Sequence, residues 1–142
     1  IREGAPMLAL IGSDHPASAA QLARVGAAAW APGDPLPAGR AIAPRLPPGL
    51  ARQDAASHIA ATFTALARAL PRPGALVVAG GETLRGLCDG LGATALTVLG
   101  EHEPGAPVSR MEGGLWDGLP ILSKSGAFGG PDFLARLVGD QE

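Results

Sequence analysis

The sequence predicts a three-layer α/β fold, Rossmann-like, with a mostly parallel sheet and helices on both of its faces. Short apolar runs at Met7 to Ile11, Ala75 to Ala79 and Ala95 to Leu99 alternate with stretches whose apolar residues recur at helical spacing. The central run, Ala-Leu-Val-Val-Ala, is continuous and β-branched in the middle, as in a strand covered on both sides. Strand, helix, strand, helix, strand is the order that builds a parallel sheet through crossover helices.

Met7 to Ile11 ends at Gly12-Ser13, and Ala19, Leu22 and Ala23 then mark a helix face. Ser13 or Asp14 is placed to cap that helix, with Pro16 in its first turn. Residues 31 to 50 hold six prolines, too many for a helix, so the stretch reads as an irregular connection with one edge strand near Arg40 to Ala43. Ile59, Phe63, Leu66 and Leu70 form one stripe of a helix from Arg52 to Ala69, stopped by Pro71 and Pro73. After the central strand, Leu84, Leu87, Cys88 and Leu91 mark a further helix ending in Gly90 and Gly92, residues suited to a left-handed cap. Turn residues dominate from Gly100 to Gly118. Leu119 to Leu122 reads as a short strand, Gly126 to Gly130 as a glycine loop, and Phe133 to Val138 as a terminal helix capped by Asp132.

The 142 residues include 21 glycines and 14 prolines, a content that raises the question of disorder, but 46% are hydrophobic and only 17% charged, so the chain can bury a core. The length fits one ordinary domain over 1–142. A net charge of −2 and five scattered aromatic rings give no electrostatic or stacking basis for nucleic-acid binding. A single cysteine forms no intrachain disulfide, no apolar run reaches membrane-spanning length, and Ile1-Arg2-Glu3-Gly4 lacks a signal-peptide pattern. The default is a cytoplasmic protein, and an opening on Ile1 suggests a piece of a longer one.

Three turns carry candidate chemistry. At Gly80-Gly81-Glu82-Thr83 the glycines permit positive φ and expose backbone N–H groups where the following helix supplies partial positive charge, so a phosphate can sit there. Glu82 would repel that phosphate unless Mg²⁺ lay between them. The competing reading is a plain turn whose helix is capped by Glu82 or Thr83. The second turn follows Leu119 to Leu122: Lys124, the only lysine among 11 cationic side chains, precedes Ser125-Gly126-Ala127-Phe128-Gly129-Gly130. A compact ammonium beside a glycine loop suits a phosphate, against the alternative of a solvated lysine at a strand end. The third is Gly12-Ser13-Asp14-His15, where His15 reads as a cap or surface residue. His58 reads as structural, His102 as part of a solvated loop, and Cys88 as a small core residue. Gly90-Leu91-Gly92-Ala93-Thr94-Ala95 spells a dinucleotide fingerprint, but it ends a helix and precedes a strand, the reverse of the required context. Ser123-Lys124-Ser125 lacks the glycines of a P-loop.

Four landmarks together resemble the C-terminal, nucleotide-binding domain of the four-carbon acid sugar kinases. They are the strand with Gly12-Ser13 and the helix containing Gln21; Val77-Val78-Ala79-Gly80-Gly81-Glu82-Thr83; Glu103-Pro104-Gly105-Ala106-Pro107; and Leu122-Ser123-Lys124-Ser125-Gly126-Ala127-Phe128-Gly129. The resemblance covers nearly the whole chain. It implies the C-terminal half of a two-domain kinase that phosphorylates threonate, erythronate or 3-oxo-tetronates with ATP and Mg²⁺, the sugar acid and catalytic base belonging to an N-terminal domain. It implies ATP contacts from Ser13, Gly80, Gly81, Glu82, Thr83 and Gly126, with Lys124, Ser125 and Gly129 lining the same site. Leu84 and His15 depart from the family pattern, which often has serine at both positions. A homo-oligomer is compatible with it. Two other classes remain open on the residues alone: a non-catalytic nucleotide-sensing or assembly module, and a dinucleotide-dependent oxidoreductase domain.

Overall fold

The computed structural model describes residues 6–139, so the opening Ile1 to Gly4 lies outside the described residues. Seven strands form one mixed, mostly parallel sheet in the order β2-β3-β1-β4-β7-β6-β5. In chain order the elements are β1 (Met7–Ile11), α1 (Pro16–Val25), β2 (Ala28–Trp30), β3 (Ala41–Pro44), α2 (Arg52–Ala69), β4 (Ala75–Ala79), α3 (Gly81–Leu91), β5 (Ala95–Glu103), β6 (Ala106–Glu112), β7 (Pro120–Lys124) and α4 (Phe133–Val138). Neighbours from β2 to β7 pair in parallel, while β6 runs antiparallel to both β7 and β5. The predicted fold class holds.

The two central strands, β1 and β4, are buried along their whole length, and their side chains divide the core by pleat. Leu8, Leu10, Leu76 and Val78 face α2 and α3, where they meet Phe63, Leu66, Leu87 and Leu91. Ala9, Ile11, Ala75, Val77 and Ala79 face α1 and α4 and meet Val25, Phe133 and Leu134. The second face is built mainly of smaller residues, which lets its helices lie close to the sheet.

Several expectations are corrected. Ala95 to Leu99 is not another parallel strand but the start of β5, the far edge strand, antiparallel to β6. β6 occupies much of the stretch read as turns, because its hydrogen bonds to β7 and β5 override a turn-rich composition. The strand near Arg40 to Ala43 is β3, which is internal: β2 covers it, and the Asp34–Arg45 ion pair, at 2.7 and 3.0 Å, fastens the connection beside it. His15, not Ser13 or Asp14, caps α1, its Nδ1 accepting the Ala17 N–H at 3.1 Å. Asp132 stands at the start of α4 but makes no capping bond; its carboxylate meets Arg24 at 3.2 Å. His58 and His102 are exposed, the latter on β5 rather than in a loop. Cys88 packs half-buried against the core.

Gly92 caps α3 in the left-handed conformation, φ 77°, whereas Gly90 lies inside the helix. A Cβ at Gly90 would fall on Thr64, and one at Gly86 would stand 2.6 Å from the Ala60 Cβ. These two glycines, one helical turn apart, let α3 cross close to α2. Gly86→Val is expected to lower stability by about 2 kcal/mol through overpacking. Exchanging the pair, as Gly86→Ala with Ala60→Gly, should return the chain to within about 1 kcal/mol of the parent in urea unfolding. A Gly86→Val chain as stable as the parent would contradict the close crossing.

Candidate functional site

The site lies at the carboxyl ends of β1, β4 and β7. Helix α1 leaves β1 toward one face of the sheet and α3 leaves β4 toward the other, the kind of strand end at which open parallel sheets bind ligands. Gly12 at the end of β1 packs directly against Thr83, and no larger residue fits there, since a Cβ would fall on the Thr83 hydroxyl. At the next strand, β4 pairs with β7 so that Ala79 stands beside Lys124, and Gly80 N–H donates to the Lys124 carbonyl at 3.0 Å. The diglycine bend and the only lysine are therefore neighbours.

Helix α3 starts without a side-chain cap. Gly80 occupies the cap position at φ 100°, a conformation that favours glycine, and neither Glu82 nor Thr83 bonds back to the exposed first turn. The turn-with-cap reading is thereby corrected: the N–H groups at Gly81 and Glu82 sit where Gly81 and Glu82 are exposed, and the helix dipole adds partial positive charge there. Thr83 is 6% exposed and wedged between Gly12 and Gly80.

Lys124 is not a solvated strand-end lysine: it is 4% exposed. Its ammonium donates to Ser18 Oγ and to the Ser125 carbonyl, both at 3.1 Å, and burial lowers its pKa from 10.5 to about 8. No carboxylate among the described residues pairs with it. A desolvated cation without a counter-charge is a place for an anion.

The segment after Lys124 is tied to α1. Ser18 Oγ donates to the Gly126 carbonyl at 2.7 Å, and Gln21 Nε2 donates to the Phe128 and Gly129 carbonyls at 3.0 and 3.1 Å. Gln21 Oε1 is buried without a partner. Gly126 packs so closely on Ser13 that a Cβ would strike its hydroxyl, which in turn accepts the His15 N–H at 3.1 Å. Phe128 stacks edge-on against Phe133, their centroids 5.6 Å apart, and the hairpin turn at Gly105 presses on the Phe128 ring. Thus Gly80 lies beside Lys124 and Ser125, Thr83 packs between Gly12 and Gly80, and Gly126 packs on Ser13, with Gly81 and Glu82 exposed at the start of α3. Gly129 sits apart in purpose, its carbonyl turned to Gln21. Sequence reasoning gave Ser18 no role, since a serine in an Ala-rich helix carries no local sign of a partner 106 residues away.

Among the described residues no three or more His, Cys, Asp or Glu side chains cluster as metal ligands, and no helix is long and apolar enough to cross a membrane.

A family profile described as a nucleotide-binding C-terminal domain matches residues 41–134. The chain is 43% identical over 88 residues to a 3-oxo-tetronate kinase of Methylobacterium radiotolerans, covering 60% of this chain and 20% of that protein. It is 30% identical over 160 residues to a D-threonate kinase of Bordetella bronchiseptica, covering 94% of this chain and 40% of that protein. Among solved structures, a DUF1537 protein from Bordetella bronchiseptica, a domain-swapped dimer with bound citrate, superposes with a TM-score of 0.73 at 23% identity, over 95% of this chain and 41% of that one. The chain thus belongs to the four-carbon acid sugar kinase family, in the part that the family profile describes as nucleotide-binding. It spans between 20% and 40% of the length of the two curated relatives.

Lys124 sets a pH dependence. Its pKa falls from 10.5 unfolded to about 8 folded, so between these values the unfolded chain binds more protons and stability rises with pH. The stability of the parent relative to Lys124→Met is therefore expected to rise between about pH 8 and pH 10.5. Urea midpoints of both chains at pH 7 and pH 10 check this; a stability difference that does not change with pH would contradict a cation held out of water.

Proposed function

We propose that this chain is the ATP-binding part of a kinase that phosphorylates a four-carbon sugar acid such as threonate, erythronate or a 3-oxo-tetronate. The observation that supports this most is Lys124: a buried ammonium with no carboxylate partner among the described residues, beside an uncapped helix start, at the carboxyl end of a parallel sheet. The names of the relatives, 3-oxo-tetronate kinase and D-threonate kinase, support the substrate class.

Phosphoryl transfer depends mainly on positioning and charge neutralisation. In this reading the N–H groups of Gly81, Glu82 and Thr83 hold phosphate oxygens at the start of α3, and Lys124 neutralises charge from the β7 side. The Ser13 hydroxyl and Ser125 close the site around them, and Gly126 permits the close approach to Ser13. Gly129 acts by positioning, through its bond to Gln21. The donor set fits a polyphosphate: it is rich in N–H groups and carries one buried cation. Mg²⁺ bound with ATP would neutralise phosphate charge, and Glu82, the carboxylate of the bend, is the residue to hold it together with phosphate oxygens. The sugar acid and the catalytic base belong to a preceding domain, and the enzyme works in the cytoplasm, where ATP is supplied. Self-association is part of the proposal: the Bordetella neighbour is a domain-swapped dimer, and β5 here is a nine-residue edge strand with Val98 and Leu99 exposed.

Calorimetry tests the reading. Mg·ATP should bind in preference to NAD, and Lys124→Met should weaken it by about tenfold or more, the scale of a lost hydrogen bond to a charged group. A phosphate beside Lys124 raises its pKa, so at pH 8 binding should take up roughly half a proton, seen as a buffer-dependent heat that vanishes in Lys124→Met. A preference for NAD, or equal affinity in the variant, would remove the reading. The 142-residue chain alone should not phosphorylate threonate or erythronate; turnover would show the division of labour to be wrong.

A further inference from the structure

We infer that Ser18 is a positioning residue for Lys124: its hydroxyl, shared between the lysine ammonium and the Gly126 carbonyl, sets the direction in which the ammonium meets a bound anion. This rests on the phosphate site proposed above. Ser18 lies in the first turn of α1, which starts at Pro16, and is fully buried. A serine in a helix ordinarily bonds its own backbone or faces water. Here its partners are 106 and 108 residues away, the Lys124 ammonium at 3.1 Å and the Gly126 carbonyl at 2.7 Å.

The polarity of these two bonds is forced. An ammonium only donates and a carbonyl only accepts, so the hydroxyl takes a proton from Lys124 and gives its own to Gly126. Alanine at this position could do neither. Lys124 has three N–H groups; one is used on Ser18 and one on the Ser125 carbonyl. With two bonds of a tetrahedral nitrogen fixed, the third N–H has one direction left, and no acceptor among the described residues takes it. Remove Ser18 and the ammonium is free to turn about its remaining bond. The glycine loop, by contrast, has other moorings. Gly126 packs on Ser13, and one turn further along α1 Gln21 holds the Phe128 and Gly129 carbonyls. The hydroxyl therefore matters more to the aim of the lysine than to the place of the loop.

A double-mutant cycle separates aim from mooring. Inorganic tripolyphosphate and ATP, both with Mg²⁺, are titrated calorimetrically into the parent, Ser18→Ala, Lys124→Met and the double variant of the 142-residue chain. Ser18→Ala should weaken both ligands by about tenfold, the scale of a hydrogen bond to a charged group. In the Lys124→Met background the same change should cost less than about twofold, because the group it aims is gone. Ser18→Cys, which keeps the volume but bonds weakly, serves if the alanine variant fails to fold. Because Lys124 is the only lysine, isotope-labelled lysine gives one ε-carbon resonance, whose pH midpoint reads the ammonium directly. Tripolyphosphate should raise that midpoint in the parent and raise it less in Ser18→Ala. Equal losses of affinity in both backgrounds, no loss in either, or an equal rise of the midpoint would overturn the role of Ser18 and leave the phosphate site standing. A parent chain that binds neither ligand would overturn the phosphate site and this inference with it.

Discussion

One backbone hydrogen bond, from Gly80 N–H to the Lys124 carbonyl, joins the two halves of the candidate site. It continues the β4–β7 register one step beyond the strands, so the bend that bares the start of α3 and the segment that buries the lysine cannot drift apart. The register is itself enforced by burial. A slip of one residue would turn Leu76 and Val78 from the α2/α3 face to the α1/α4 face, where Ala75, Val77 and Ala79 now leave room for helices lying close to the sheet.

The remaining loop enters through a second contact of the same kind. Adjacent strands β1 and β4 send their helices to opposite faces, and Gly12 against Thr83 closes the gap between them at the top. Gly126 against Ser13 repeats the device between β7 and β1. In both places a glycine brings backbone within reach of a hydroxyl, which is what a site for a polyanion needs: many short donors and little side-chain bulk. Lys124 supplies the full charge, and its burial lowers its pKa to about 8. The ligand-free molecule thus carries an electrostatic penalty that an anion would relieve.

Local signals and long-range pairing divided what was legible in the sequence. α2 and β4 were readable to the residue, because an apolar stripe and an uninterrupted Val-Val run each report burial within a few positions. The three candidate turns were readable as turns because glycine, and a lysine among arginines, stand out by chemistry. β6 was not, since Gly105, Gly113 and Gly114 bracket it with turn residues, Pro107 lies inside it, and only pairing with β7 and β5 makes it a strand. β2 has three residues, too few to carry a period. The burial of Lys124 was hidden as well: it depends on Ser18 and on a loop folded back over α1, contacts more than 100 residues apart in the chain.

The most direct measurement is a crystal structure of the chain with ADP and Mg²⁺. The account requires the phosphates within hydrogen-bonding distance of the Gly81 and Glu82 N–H groups and of the Lys124 ammonium. Phosphates bound elsewhere, with Lys124 still bonded only to Ser18 and the Ser125 carbonyl, would contradict it.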